Sequence, residues 1–202
     1  IKSKVGVSIY GKFNKIGIVF HPLGINAFAK SNLDEVISTY FEPVHFLGAE
    51  FLAELESIFE LSSFEEKVSQ LDFIFQQKLV HFQVPIIQTA VQLILESNGF
   101  IKVEELSEQL KVSRKTLLRL FKKHLFSSVE EYKKMVMFRK ALIYAKENPE
   151  DVNLTDIALF SMYYDQAHFI KHFKSITKFT PNFLLEKIDQ FGSEKTFWRV
   201  QD

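Results

Sequence analysis

The sequence predicts a mainly α fold: two helix-turn-helix units joined by a long central helix, preceded by a small α+β region. Three observations predict it. Apolar residues recur at helical spacing through residues 85–147. A block of residues then returns at an offset of 51 and 52 positions. Strict β-type alternation is confined to the first twenty residues.

The elements follow in order. VGVSIYG and KIGIVF alternate and are β-branched, so residues 4–20 read as two strands around the turn GKFN. HPLG, His21 to Gly24, breaks that pattern. SNLDEVIS reads as a short helix. GAEFLAELESIF sets Phe51, Leu52, Leu55, Ile58 and Phe59 on one helical stripe. Ser63 to Glu66 spells a capping box, opening a helix through Leu79. Pro85 stands where a helix begins, and PIIQTAVQLILESNG runs to a C-terminal glycine.

The next segment, VEELSEQLKVSRKTLLRLFKKHL, holds two helices with a short turn at Val112 and a cap at Ser113. On the second, Leu117, Leu120, Phe121 and Leu125 form the apolar stripe, while Arg114, Lys115, Leu118, Arg119 and Lys122 lie opposite. Ser128 to Glu131 is a second capping box, starting a helix that Asn148-Pro149 stops near Glu147. The pattern then returns, with Asn153 and Asp156 as cap and partner. Ile157, Ala158 and Tyr163 take the places of Leu106, Ser107 and Val112, at an offset of 51. Phe173, Lys174, Thr180 and Pro181 take those of Phe121, Lys122, Ser128 and Val129, at 52. One extra residue falls in the turn.

Composition bounds the function. The chain has 202 residues, enough for one or two domains, and formal net charge zero. Residues 1–84 carry 7 Lys against 10 acidic residues; residues 85–188 carry 13 Lys and 3 Arg against 12. The second part is thus mildly basic. With no cysteine, disulfides, thiolate metal sites and Cys nucleophiles are excluded. No apolar run approaches the ~20 residues of a membrane span. The chain does not open on Met, and two strands alone make no stable sheet. Residue 1 is therefore expected to be a cut end, with further strands upstream or from another chain.

A duplicated helix-turn-helix has a definite use. The second helix of each unit lies in the DNA major groove, with one apolar side holding it on its domain and the other offering donors. Ser113–Leu125 and Asp165–Ile176 both meet this requirement. The connecting helix, Val129 to Glu147, spans roughly 28 Å at ~1.5 Å per residue, against ~34 Å between major-groove turns on one DNA face. The bland reading is two ordinary helical hairpins in a bundle.

Residues 86–188 resemble the DNA-binding domain of AraC/XylS transcription regulators. The resemblance lies in SRKTLLRLFKK, EEYKKMVMFRKAL and DIALFSMYYDQAHFIKHFKSITKFTP. It implies base-facing positions at Lys115, Leu118 and Arg119 in the first unit, and at Gln166, Ala167, Ile170 and Lys171 in the second. Arg119 suits a guanine edge and Gln166 an adenine edge; Leu118 and Ile170 suit thymine methyls. Ser113, Arg114, Lys122 and Lys174 are the expected phosphate contacts. IGIVFHPLGINAFA is similar to the strand, Pro-Gly loop and helix closing the family's sensor domain. Residues 1–84 are therefore expected to be the end of a truncated effector or dimerisation domain, 85–188 the DNA-binding domain and 189–202 a tail. In that tail, Phe197 and Trp198 either pack back on the body or lie disordered. The resemblance implies a cytoplasmic, effector-controlled regulator on double-stranded DNA, with RNA polymerase, a small-molecule effector and a homodimer as partners, and neither cofactor nor membrane.

The chain departs from the family pattern at Phe126, Met162 and Lys178, where glycine is usual, and at Met137 and Leu185, where arginine is. A side chain at positive φ costs about 1 kcal/mol or more.

Other classes fare worse. His168 and His172 stand one turn apart, but between them lie Phe169, Ile170 and Lys171, with no glutamate and no third ligand near; the metal reading is rejected. No nucleophile elbow, P-loop or dinucleotide fingerprint exists, and AraC-like alkyl-acceptor repair proteins need a cysteine, so no enzyme is expected. The alternative is an AraC-like helical domain that has lost specific DNA binding and acts as a protein-interaction module.

Overall fold

The computed structural model describes residues 14, 16–29, 47–148, 154–160, 165–183, 189–190 and 197–198. The first expected strand, the helix at SNLDEVIS, the cap at Asn153 and the turn residues 161–164 lie outside them. Ile16–Phe20 form no strand, where KIGIVF predicted one. The break at HPLG is real: Leu23 takes a left-handed conformation (φ 69°) and leads into a 3-10 turn, Gly24–Ala27.

The helices are α1 (Ala49–Ser57), α2 (Phe64–Lys78), α3 (Pro85–Glu96), α4 (Val103–Gln109), α5 (Arg114–Leu125), α6 (Val129–Glu147), α7 (Leu154–Phe160) and α8 (Gln166–Thr177). A two-residue antiparallel ladder follows, Asp189 opposite Trp198 and Gln190 opposite Phe197. Phe197 and Trp198 thus pair within the tail.

Two compact units divide the chain, and local chemistry explains each. The first comprises Asn14–Gln92 and Val103–Val129. Phe51, Ile58 and Ile74 make its buried centre, with Leu55, Leu71 and Phe75 packed around them. Phe75 stands edge-on to Phe28 and Phe51, with ring centroids 4.9 and 5.4 Å away. After Ser57, α1 tightens into a 3-10 turn, Ile58–Glu60. The change from 3.6 to 3.0 residues per turn rotates the last residues, so Ile58 is buried while Phe59, expected on the same stripe, is exposed. The capping box forms in full. Ser63 Oγ accepts from Glu66 N at 3.0 Å, and Glu66 Oε2 accepts from Ser63 N at 3.1 Å. Lys78 Nζ reaches Glu54 Oε1 at 2.6 Å and joins α2 to α1.

Among the described residues, the second unit comprises Leu93–Lys102 and those from Glu130 onward. Phe138, Ala141, Leu142 and Ala145 repeat at i, i+3, i+4 and i+7 along α6, one face of a helix. They pack against Ile157 and Ala158 of α7 and Phe169 and Phe173 of α8. Burying each phenylalanine contributes about 1.5–3 kcal/mol. Gly99, after α3, has φ +88°, and a Cβ there would stand 2.7 Å from the Lys133 carbonyl oxygen. Both the conformation and the space demand glycine.

Candidate nucleic-acid interface

Within the first unit α4 and α5 form a helix-turn-helix. Lys111 turns the chain with φ 53°, and Val112 N donates to Ser107 O at 3.0 Å to close α4. Ser113 caps α5, its Oγ accepting from Thr116 N at 3.1 Å. Leu106, Leu117 and Phe121 are fully buried, holding the two helices together. Within the second unit α7 and α8 pack on each other through Ile157, Ala158, Phe169 and Phe173. Asp165 caps α8, its carboxylate accepting from His168 N at 2.6 Å.

The two second helices correspond in length and in the positions of their caps. Each has 12 residues; their N-caps are Ser113 and Asp165, and their C-caps Phe126 and Lys178. Every landmark is 52 positions from its counterpart. Both C-caps are left-handed, with φ 53° and 64°, so the two departures from glycine fall where positive φ is needed. Phe126 N donates to the Lys122 carbonyl and Lys178 N to that of Lys174.

Opposite the apolar stripes lies the polar surface. On α5, Arg114, Lys115, Leu118, Arg119 and Lys122 are exposed, as is the cap Ser113. On α8, Gln166, Ala167, Lys171 and Lys174 are exposed. Ile170 differs from the other expected base-facing residues: it is half-buried and packs against the Phe138–Phe173 core. Only part of it remains for an apolar contact. His168 is exposed and His172 half-buried. Desolvation, with the nearby charges of Lys134 and His168, pushes His172 down to about 4. Among the described residues no group of three side chains is placed to hold a metal, and no helix is long and apolar enough to cross a membrane.

Three contacts escape the sequence reading. Arg114 Nη1 donates to Glu104 Oε1 at 2.6 Å. Thr155 Oγ1 donates to Gln166 Oε1 at 3.4 Å. His124, buried near the end of α5, forms a reciprocal pair with buried Asn26. Asn26 Nδ2 donates to His124 O at 3.2 Å, and the His124 ring nitrogen Nδ1 stands 3.2 Å from Asn26 Oδ1. The first two sit at equivalent places of the repeat, Glu104 and Thr155 lying 51 positions apart, but the residue types differ and no local pattern shows that these side chains meet. The third spans 98 residues and left no local trace.

Two capped helices, α5 and α8, each expose a polar face. A family model described as a helix-turn-helix domain matches residues 106–187, less than half of the chain. The match supports an AraC-type helix-turn-helix domain over those residues. No curated protein and no solved structure matches the chain significantly.

Proposed function

We propose that the chain is an effector-controlled, sequence-specific transcription regulator of the AraC/XylS class that sets α5 and α8 into adjacent major-groove turns. The observation carrying this reading is the exact-length duplication: two 12-residue helices with N-caps and C-caps both offset by 52, each exposing a basic face. Lys115, Leu118 and Arg119 face bases from α5. Gln166, Ala167, part of Ile170 and Lys171 do so from α8. Arg119 bonds guanine O6 and N7 with its planar fork. Ser113, Arg114, Lys122 and Lys174 face phosphates, which position the protein without reading sequence.

The 19 residues of α6 make a stiff spacer of roughly 28 Å, which supports the placement in successive turns. Residues 1–84 act as the effector or dimerisation region, 85–188 as the DNA reader and 189–202 as a tail. The protein works in the cytoplasm, with double-stranded DNA, RNA polymerase, a small-molecule effector and a second copy of the chain as partners. No catalytic step is part of this reading.

Random-site selection at low salt, followed by a salt titration of the recovered site, tests it. Two short boxes about one helical turn apart are expected, one lost with Arg119→Ala and the other with Lys171→Ala. Affinity falls steeply as salt rises, because phosphate contacts release counterions. No enriched site, with weak binding indifferent to both substitutions, overturns the reading and leaves the helical interaction module in front.

A further inference from the structure

The two bridges between first and second helices occupy the same place in the repeat. Glu104 is the second residue of α4, and Arg114 the first of α5. Thr155 is the second residue of α7, and Gln166 the first of α8. In each unit the first helix holds the leading side chain of the second. That side chain stands at the end of the helix that enters the groove. The chemistry differs: a carboxylate holds a guanidinium in one unit, and a hydroxyl holds an amide oxygen in the other.

Building on the DNA-reading function proposed above, we infer that Thr155 is a specificity-determining positioning residue that selects the base read by Gln166. A glutamine reads adenine by using both ends of its amide, donating to N7 and accepting from the N6 amino group. Here the amide oxygen is drawn toward α7 by the Thr155 hydroxyl. The amide nitrogen, which the bridge does not use, becomes the leading group. The bridge takes one of the oxygen's two lone pairs and leaves the donor end leading, which suits an edge of acceptors: guanine, with N7 and O6, or thymine, with O4. Gln166 thus prefers guanine or thymine to adenine, against the simple pairing expected from residue type. Glu104 acts in parallel on charge. It holds Arg114 in a neutral pair, so this arginine counts less toward phosphate binding than its exposure suggests.

Site selection with the whole chain, run on wild type, Gln166→Ala, Thr155→Val, Thr155→Ser and Glu104→Ala, tests this. Gln166→Ala locates the base position by the preference it erases. At that position wild type selects guanine or thymine. Thr155→Val, close to threonine in shape, shifts the preference about tenfold toward adenine, and Thr155→Ser keeps the wild-type base. Glu104→Ala steepens the salt slope by about one phosphate equivalent, while Thr155→Val leaves it unchanged. Thermal midpoints confirm that every variant folds. Adenine selected by the wild type at the Gln166 position overturns the inference, as does a Thr155→Val logo identical to wild type. A uniform loss of affinity in Thr155→Val, without a change of base, also overturns it by showing a merely structural role. In each of these cases the DNA-reading function stands. A wild type that selects no site overturns that function and the inference together.

Discussion

At the scale of single residues, the most informative side chains have something unusual in their surroundings. His172 is pushed down to about 4 because burial and the Lys134 and His168 charges all oppose its proton. The free histidine value is 6.5, so the unfolded chain takes up a proton that the folded one refuses. Stability contributed by neutral His172 is therefore full above about pH 6.5 and is lost as pH falls toward 4. Thermal midpoints measured across that window should fall more steeply for the wild type than for His172→Gln. Lys178 is exposed and sits at φ 64°, a conformation that costs a non-glycine residue about 1 kcal/mol. Lys178→Gly should therefore raise stability by about that amount in urea unfolding. An unchanged or lower midpoint would show that its bond to the Ser175 carbonyl, 3.1 Å, outweighs the strain. The positive φ was legible in the sequence through the family's glycine pattern. The low proton affinity of His172 was not, because Lys134 lies on another helix.

At the scale of elements, the sequence was most readable at helix starts. A Ser or Asp cap acts on backbone donors two or three residues away, so both its cause and its effect lie within one short window. Ser63 and Ser113 cap as expected, and the structure adds a cap at Asp165. Asp165→Ala should cost about 1 kcal/mol of stability, read as a lower denaturation midpoint. It should also weaken binding to the selected DNA site, since the start of α8 carries Gln166. Normal affinity in a destabilised Asp165→Ala protein would separate the cap from the reading surface. The apolar stripe of α1 was less readable. A helical period of 3.6 places Phe59 with its neighbours, and the tightened last turn removes it. Likewise α8 reads as a clean two-sided helix, yet Ile170 lies on the border and is drawn onto the aromatic core by Phe138, Phe169 and Phe173.

At the scale of the whole molecule, the Asn26–His124 pair joins the region before residue 85 to α5 within one compact unit. Val80 N adds a backbone bond to Ala27 O at 2.7 Å, and the Phe82 ring packs edge-on to His124. The segment proposed as an effector region is thus packed into the unit that holds α5. Replacing a buried partner removes hydrogen bonds whose donors and acceptors water cannot easily reach, at about 1–3 kcal/mol. Asn26→Ala should lower the denaturation midpoint by that amount and weaken DNA binding through α5 more than through α8. Equal loss at both half-sites would mean that the pair serves general stability alone.

By itself, the sequence determined the order of helices from Pro85 onward, the caps at Ser63 and Ser113 and the apolar and polar faces of α5 and α8. Each of these depends on residues within about a turn of one another, so periodicity and spacing carry the information. Only the tertiary structure decided the rest: the lack of a strand at Ile16–Phe20, the Asn26–His124 pair, the burial of Ile170, and the two bridges that hold Arg114 and Gln166. Those depend on which side chains meet across separate elements. Packing sets such meetings, and no local pattern records them.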